Sequence, residues 1–469
     1  MKQYMVAFLF IAFFLKVPAQ YISAVYEYKP APGQFINLSP MGTPEGTSSI
    51  TGGISGSLAL GSFGGYVVFG FEQPVDNHPD NPFGVDFTLF GNAGLNWSEP
   101  AIVYVMADDN RNGLPDDTWY ELAGSDHFFT STRRSYVVTY YNPGGNKAAP
   151  IPWMGSDGEE GLLQPNPFHI QPYYPQPIYF PAIDSVSYSL CGTRLPGAVD
   201  TTSPVVVNSY PRTFGYADNQ PRGSAPYTLP DNPYTAQSEN SGGDPFDISW
   251  AIDTTGMYVD LPVIDFVKVQ SAVLDHAGWL GEISTEISGA IDVPPNPHIF
   301  GSGHCVVVSD LPLILQQRDY PLEYAVFLEG RYTPACEVVW STNQHDAWVD
   351  NANVLHVSES GMLEISATLV GDSSVSTTVH CRVVLDQSVD DLPFSVKAIV
   401  YPCPAGGSVT LDHPFSGCLK LYSVSGAVML ERAVKAGKNT IAVDGLIPGV
   451  YYFRVYSSTQ VSITPFIKK

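Results

Sequence analysis

A chain of 469 residues is too long for one hydrophobic core, so two to four domains are expected. Its 40 prolines, 42 glycines and 12% aromatic residues, beside only 14% charged residues, suit short strands joined by turns and leave little room for long helices. A net charge of −24 argues against binding nucleic acid, which needs a basic face; the acidity reads as solubility outside the cell, with scattered acids available to a divalent cation.

The chain opens on Lys2 and an apolar run from Tyr4 to Leu15, followed by Val17-Pro-Ala-Gln20 with a small-residue cleavage region near Ala19. Residues 1–20 therefore read as a secretory signal peptide. The run is shorter than the ~20 residues of a membrane span, and no later segment reaches that length, so no transmembrane span is expected.

Residues 21–49 form an extended lead-in, and Gly52–Gly61 is rich in Gly and Ser. Strands follow in quick succession at Tyr66–Phe71, Asp86–Phe90, Ala101–Met106, Trp119–Leu122 and Tyr136–Tyr141, all rich in aromatic and β-branched residues. Residues 142–178 read as a long connection carrying Pro150-Ile-Pro-Trp153 and Pro172-Tyr-Tyr-Pro175. Ser185–Leu190 alternates like a half-buried strand, 208–246 is loop-like, and strands return at Phe246–Ile252 and Ile264–Val269. Residues 21–296 are read as one large, jelly-roll-like β-sandwich that binds a ligand. Asp292–His298 is a stiff linker. Residues 297–387, with strands at Cys305–Val308, Glu337–Ser341 and Thr377–Val384, suit an Ig-like sandwich that spaces the first from the third. Residues 388–469 form a last small β-sandwich. The fold class is all-β.

Three groups of side chains carry chemistry. Asp108, Asn110 and Asn112 place oxygen donors at alternate positions before Gly113; Leu114 offers a carbonyl and Asp116 a further carboxylate. Ca²⁺ takes six to eight oxygens at about 2.3–2.6 Å, and this is the first half of a calcium-loop pattern. Trp119 stands where the bidentate glutamate is usual, so Asp117 or Glu121 must substitute. The competing reading is a metal-free turn whose Asn and Asp side chains bond their own backbone. Second, Glu282 and Glu286, near Asp253 and Asp265, are a candidate acid/base pair of a glycoside hydrolase, although residues four apart on a strand lie more than ~10 Å from one another. Third, the aromatics Trp97, Trp119, Trp153, Tyr173, Tyr174, Tyr179 and Trp279 are candidates to stack on a sugar; Trp153, Tyr173 and Tyr174, flanked by Pro and Gly, are expected at the surface. No phosphate loop, zinc-protease helix, nucleophile elbow or dinucleotide fingerprint occurs. The six cysteines form no CxxC; Cys403–Cys418 is the disulfide that proximity favours.

Val400-Tyr-Pro-Cys-Pro-Ala405, Leu419–Gly426, Asn439–Val443, Leu446-Ile-Pro-Gly-Val-Tyr-Tyr-Phe-Arg-Val455 and the basic end Lys468-Lys469 together resemble the type A C-terminal sorting domain of type IX secretion. Cys403 stands where that family has Asn. The resemblance implies passage through the outer membrane of a Gram-negative bacterium, contact with the type IX machinery and a cell-surface or secreted location. Trp340-Ser-Thr342 through Gly361–Ala367 resembles bacterial Ig-like surface modules. Gly65–Phe71, Asp86–Asn92, Trp97-Ser-Glu-Pro100 and Gly281–Glu286 are similar to uncharacterised bacterial cell-surface proteins, from which no catalytic residue carries over. The expected function is delivery to the surface and binding of an extracellular ligand, a carbohydrate first, through a sandwich stabilised by Ca²⁺. The alternatives are a glycoside hydrolase using Glu282 or Glu286, and a structural adhesin or corrinoid-binding surface protein.

Overall fold

The computed structural model describes residues 20–469 apart from 202–205, 222–242, 297–304, 329, 345, 386–397, 424–427 and 458–460. Nearly all of the proposed signal peptide, Pro297 and His298 of the linker and the last three residues of Leu419–Gly426 lie outside the described residues. The chain divides into two compact units, residues 1–314 with 319–358 and 362–382, and residues 315–318 with 359–361 and 383–469.

In the first unit the strands up to Asp292 are β1 (Ala24–Lys29), β2 (Leu58–Ala59), β3 (Tyr66–Asp76), β4 (Phe87–Phe90), β5 (Ala101–Met106), β6 (Tyr120–Leu122), β7 (Arg133–Tyr141), β8 (Ile151–Gly155), β9 (Glu160–Leu163), β10 (Ser187–Arg194), β11 (Val199–Asp200), β12 (Asn208–Ser209), β13 (Asp244–Phe246), β14 (Ala251–Ile252), β15 (Val263–Ser271), β16 (Glu286–Ile287) and β17 (Gly289–Asp292). A six-stranded sheet runs β1-β3-β15-β5-β6-β14, all antiparallel, with Val267 between Phe69 and Val105. β5 and the first half of β3 read as near-continuous apolar runs because both of their faces are covered. On one face Val67, Phe69, Val103, Val105 and Val267 join Phe87, Leu89, Phe246 and Trp250 in the main core. There β4 lies between β13 and β17, and the Phe87 and Phe246 rings stack at 5.3 Å. On the other face Ile102 packs with Leu195, Tyr216 and Ile283.

A second sheet, β10-β7-β8-β9, closes over another core that includes five tyrosines, Tyr136, Tyr140, Tyr173, Tyr174 and Tyr188. Buried phenols need acceptors. Tyr140 donates to the Phe63 carbonyl at 2.8 Å, Tyr174 to Asp184 at 2.6 Å and Tyr188 to Pro30 at 2.7 Å. The stretch 142–178 is thus more than a loop: it carries the β8–β9 hairpin, turned at Asp157-Gly158. The expected strand Phe246–Ile252 is broken, because the Asp247 carboxylate accepts the Ser249 N–H and caps a 3-10 turn, Ile248–Trp250. Past Asp292 the chain stays on the body, Val293 and Asn296 donating to the Asp86 and Asp80 carbonyls.

The Ig-like strands Cys305–Ser309, Tyr324–Leu328, Val338–Thr342, Gly361–Leu369 and Ser376–Val383 belong largely to the same unit. Phe327 packs edge-on against Phe214 at 5.1 Å, and Phe128 stacks on Tyr332 at 4.5 Å, so the main core runs on into this part. In the second unit a three-stranded sheet (Ile399–Tyr401, Ser408–His413, Gly437–Ala442) and a four-stranded sheet (Val428–Val434, Gly417–Ser423, Gly449–Tyr456, Val461–Lys468) enclose Leu411, Leu419, Ile441, Phe453 and Phe466. Alternation is clean: Tyr451, Phe453 and Val455 point inward and their neighbours outward. Cys403 and Cys418 are not bonded to one another. The thiol of Cys403 accepts the Ile467 N–H, while Cys418, on a strand of the four-stranded sheet, faces Glu431.

Candidate functional site

Two loops of the first unit meet beneath an exposed aromatic pair. Phe168 is 66% and Trp279 47% exposed, and their rings stand edge to face at 6.0 Å. Asn166 ties the loops together: its side-chain oxygen accepts the Phe168 and His169 N–H groups, and its nitrogen donates to the Leu280 carbonyl at 2.9 Å and to Gln34. Trp279 sits in the 3-10 turn Gly278–Leu280, which ends at Gly281 with φ +103°. A Cβ at Gly281 would lie 2.9 Å from the Asn166 amide, so the close approach of the two loops requires glycine. The Gln171 amide donates to the Gln34 carbonyl, and Phe35 lies edge-on to His169 at 4.9 Å. A fixed apolar shelf thus rests on a bonded polar layer. Trp279 was expected here; Phe168 was not, for nothing in Pro167-Phe-His-Ile170 marks it as exposed.

The other aromatic candidates lie elsewhere. Tyr173 and Tyr174, expected at the surface, are fully buried, because each phenol finds a partner inside the tyrosine core: the Tyr173 oxygen accepts the Asn166 N–H at 3.1 Å. Trp153 is half-buried on β8, packed against Gly161 and under the Arg194 guanidinium at 5.8 Å.

Between β5 and β6 the 108–117 loop draws its polar side chains inward. The Asp108 carboxylate accepts the Asn112 and Gly113 N–H groups at 3.0 and 2.8 Å, and Asn112 accepts from Leu114 at 2.7 Å. The amides of Asn110 and Asn112 donate to Asp116 at 2.9 and 3.0 Å, holding its carboxyl below the usual range. Asp117 accepts from the Asn110 N–H, and the Leu114 carbonyl accepts from Asp116. Gly113 takes φ +74°. Asp108, Asn110, Asn112 and Asp116 therefore converge, and a half-turn of each amide would present oxygen in place of nitrogen. Asp265 fixes the loop by accepting the Asp108 N–H at 2.7 Å; Asp253 only caps its own turn through Thr255 and Met257.

Glu282 and Glu286 are buried and belong to different environments. Glu282 accepts the Gln34 N–H, and burial pushes its carboxyl up to about 7. Its second oxygen has no partner among the described residues. Glu286, on β16, meets Glu99 and Asp218, one oxygen of each lying within 4.8 Å of the others. Asp218 accepts three backbone N–H groups, from Asn92 and Ala93 at 2.8 Å and Glu286 at 2.9 Å, and burial still lifts it to about 7. A Cβ at Gly91 would fall 2.1 Å from the Asp218 carboxylate. Burial lifts Glu99 to about 8, and Glu99 and Glu286 share a hydrogen bond, which requires a proton on one of them. Neither Glu282 nor Glu286 reaches solvent, so neither can touch a polymeric substrate. Glu99 and Asp218 escaped the sequence reading because contacts between loops far apart in the chain, not spacing, bring them to Glu286: Asp218 accepts the Glu286 N–H, and the Glu99 N–H donates to the Asp218 carbonyl.

Residues 399–469 match the family model described as the secretion system C-terminal sorting domain. The match makes this an exported protein of the cell surface. It is, more particularly, delivered by type IX secretion in a Bacteroidetes-type bacterium. No helix among the described residues is long and apolar enough to cross a membrane. No curated protein matches the chain. Three of the solved structures that align with it are titin domains Z1Z2 in complex with telethonin (12% identity, 36% of this chain and 97% of that one, TM-score 0.16), the S-layer protein rSbsC (9%, 87% and 53%, 0.19) and dimeric latent PorU from Porphyromonas gingivalis (10%, 72% and 30%, 0.14). The chain spans about half of the S-layer protein and under a third of PorU, and TM-scores this low carry no argument about arrangement or role.

Proposed function

We propose that the first unit binds an extracellular carbohydrate on the Phe168–Trp279 shelf, and that the 108–117 loop holds a structural Ca²⁺. The observation that carries the reading is the pair of exposed rings fixed by Asn166. Edge-to-face rings give a pyranose an apolar surface for its C–H face, and a pre-organised shelf loses little entropy on binding. In the loop, Asp108, Asn110, Asn112 and Asp116 supply side-chain oxygens, with Asp117 and the Leu114 carbonyl beside them; a hard, oxygen-seeking cation fits that donor set. The ion's role is to hold the β5–β6 connection.

Affinity electrophoresis of the full mature protein through a panel of neutral and acidic polysaccharides tests the binding. Retardation by at least one glycan is expected, with Trp279→Ala or Phe168→Ala weakening it about tenfold, the order of 1–2 kcal/mol for a stacked ring. A panel without retardation, or one whose retardation ignores both substitutions, counts against the shelf.

A further inference from the structure

Cys305 and Cys336 meet in the Ig-like part of the first unit. Both border the small core formed by Val307, Val326 and Ala367. Cys305 opens the strand Cys305–Ser309, which pairs with Tyr324–Leu328 so that Val307 lies opposite Val326. Residues two apart on a strand share a face, so Cys305 lies on the same side as Val307. Cys336 reaches that core from the turn after Arg331–Tyr332. Its N–H donates to the Thr333 carbonyl and its carbonyl accepts the Tyr324 hydroxyl, both at 3.3 Å. Burial pushes the Cys305 thiol up, and Cys336 is near enough to add to the rise. A cavity of about 310 Å³ borders Cys336 and leaves its side chain room to turn. The other cysteines have different surroundings: Cys191 is exposed, Cys381 is buried, and Cys403 and Cys418 face the Ile467 N–H and Glu431. Among the described residues the strand Cys305–Ser309 is bonded to its sheet on one side only. An edge strand that opens a module has little to stop it peeling away.

We propose that Cys305 and Cys336, both thiols in this structure, are joined by a disulfide in the exported protein. The bond staples the first Ig-like strand to the turn that leads into Val338–Thr342, a strand of the facing sheet. Export carries the chain through an oxidising compartment, where such a bond forms and persists. The oxidant is the disulfide of a periplasmic thiol–disulfide oxidoreductase. One cysteine, as thiolate, attacks that disulfide and forms a mixed disulfide; the second attacks the mixed bond and releases the partner. Two electrons and two protons pass from the cysteine pair to the partner, which leaves as a dithiol. Cross-linking restricts the unfolded chain and holds the edge strand in register.

The test uses the full chain secreted by its host, denatured without reductant while iodoacetamide blocks free thiols. Peptide mass spectrometry is expected to find one cross-linked species carrying Cys305 and Cys336, which separates into two peptides on reduction. Both cysteines alkylated before reduction, or either one bonded to a different cysteine, would overturn the assignment. Reductant is expected to lower the melting temperature of the native protein by roughly 5 °C, the order expected for loss of one disulfide in a domain of this size. Cys305→Ala with Cys336→Ala is expected to melt at that lower temperature and to ignore reductant. A double variant that reductant destabilises as much as the wild type would also overturn it. The mass-spectrometric arm needs only the unmodified protein, so it stands if the variant does not fold.

Discussion

Asp218 and Glu286 lie in the same buried cluster, yet the side-chain chemistry predicts different costs for removing their charge. Asp218 spends its oxygens on three backbone N–H groups. An amide at that position turns a donor toward at least one of them, so Asp218→Asn is expected to cost about 3 kcal/mol, read as a lower urea midpoint. Glu286 accepts from the Asn92 amide and shares a proton with Glu99. A neutral isostere keeps most of that, and Glu286→Gln is expected to cost under ~1 kcal/mol. Equal costs would mean the proton sits elsewhere. Legibility at this scale was uneven. Trp279 was one aromatic candidate among seven in the sequence, and it was not among those expected at the surface, although it is 47% exposed. Tyr173 and Tyr174 misled, since Pro on either side suggests a surface loop while the phenols are satisfied in a core that sequence cannot assemble.

In the 108–117 loop the alternating polar side chains lie together, bonded to one another and to their own backbone as the metal-free turn requires, and only added ion separates that turn from a calcium loop. An ion that binds only the folded loop raises its stability by mass action. Millimolar Ca²⁺ is expected to raise the melting temperature of the chelator-treated protein, and Asp108→Ala is expected to abolish the increment while leaving the fold intact by circular dichroism. An increment that survives Asp108→Ala would place the ion elsewhere. Among the strands, β3, β5, β7 and β15 were readable because they are long, apolar and bounded by turn residues. The β8–β9 hairpin was missed although Asp157-Gly158 is a turn signal, because Pro152 and the surrounding prolines argued for a loop; Pro152 is nevertheless a strand residue, opposite Leu162. The break at Asp247 turns on a side chain bonding its own backbone, which competes with strand pairing whenever Asp sits two residues before a free N–H.

At the scale of the whole molecule the acids and bases are segregated. Residues 399–469 carry seven Lys and Arg against three Asp and Glu, while the rest of the chain carries 15 against 43. Part of that acidity is buried in the first unit, where Glu99, Asp218 and Glu282 are raised to about 8, 7 and 7. Carboxylates whose folded values are raised bind more protons folded than unfolded, so their contribution to stability is fully present below the ordinary carboxylate range and is lost as pH climbs to about 8. The melting temperature is expected to be higher at pH 5 than at pH 8 in chelator; a rise over that interval would contradict the assignment. The sorting domain was the most legible part of the chain, because its turn and strand landmarks fall in one short stretch. Deleting residues 399–469 is expected to leave the protein in the periplasm, seen by fractionation.

The most direct test joins delivery to binding. Host cells displaying the wild-type protein, and cells displaying Phe168→Ala with Trp279→Ala at equal surface density, are incubated with fluorescent polysaccharides and counted by flow cytometry. The prediction is that at least one polysaccharide labels the wild-type cells and that the double substitution removes most of that label. Equal labelling of the two, or none of either, would contradict carbohydrate binding on the shelf.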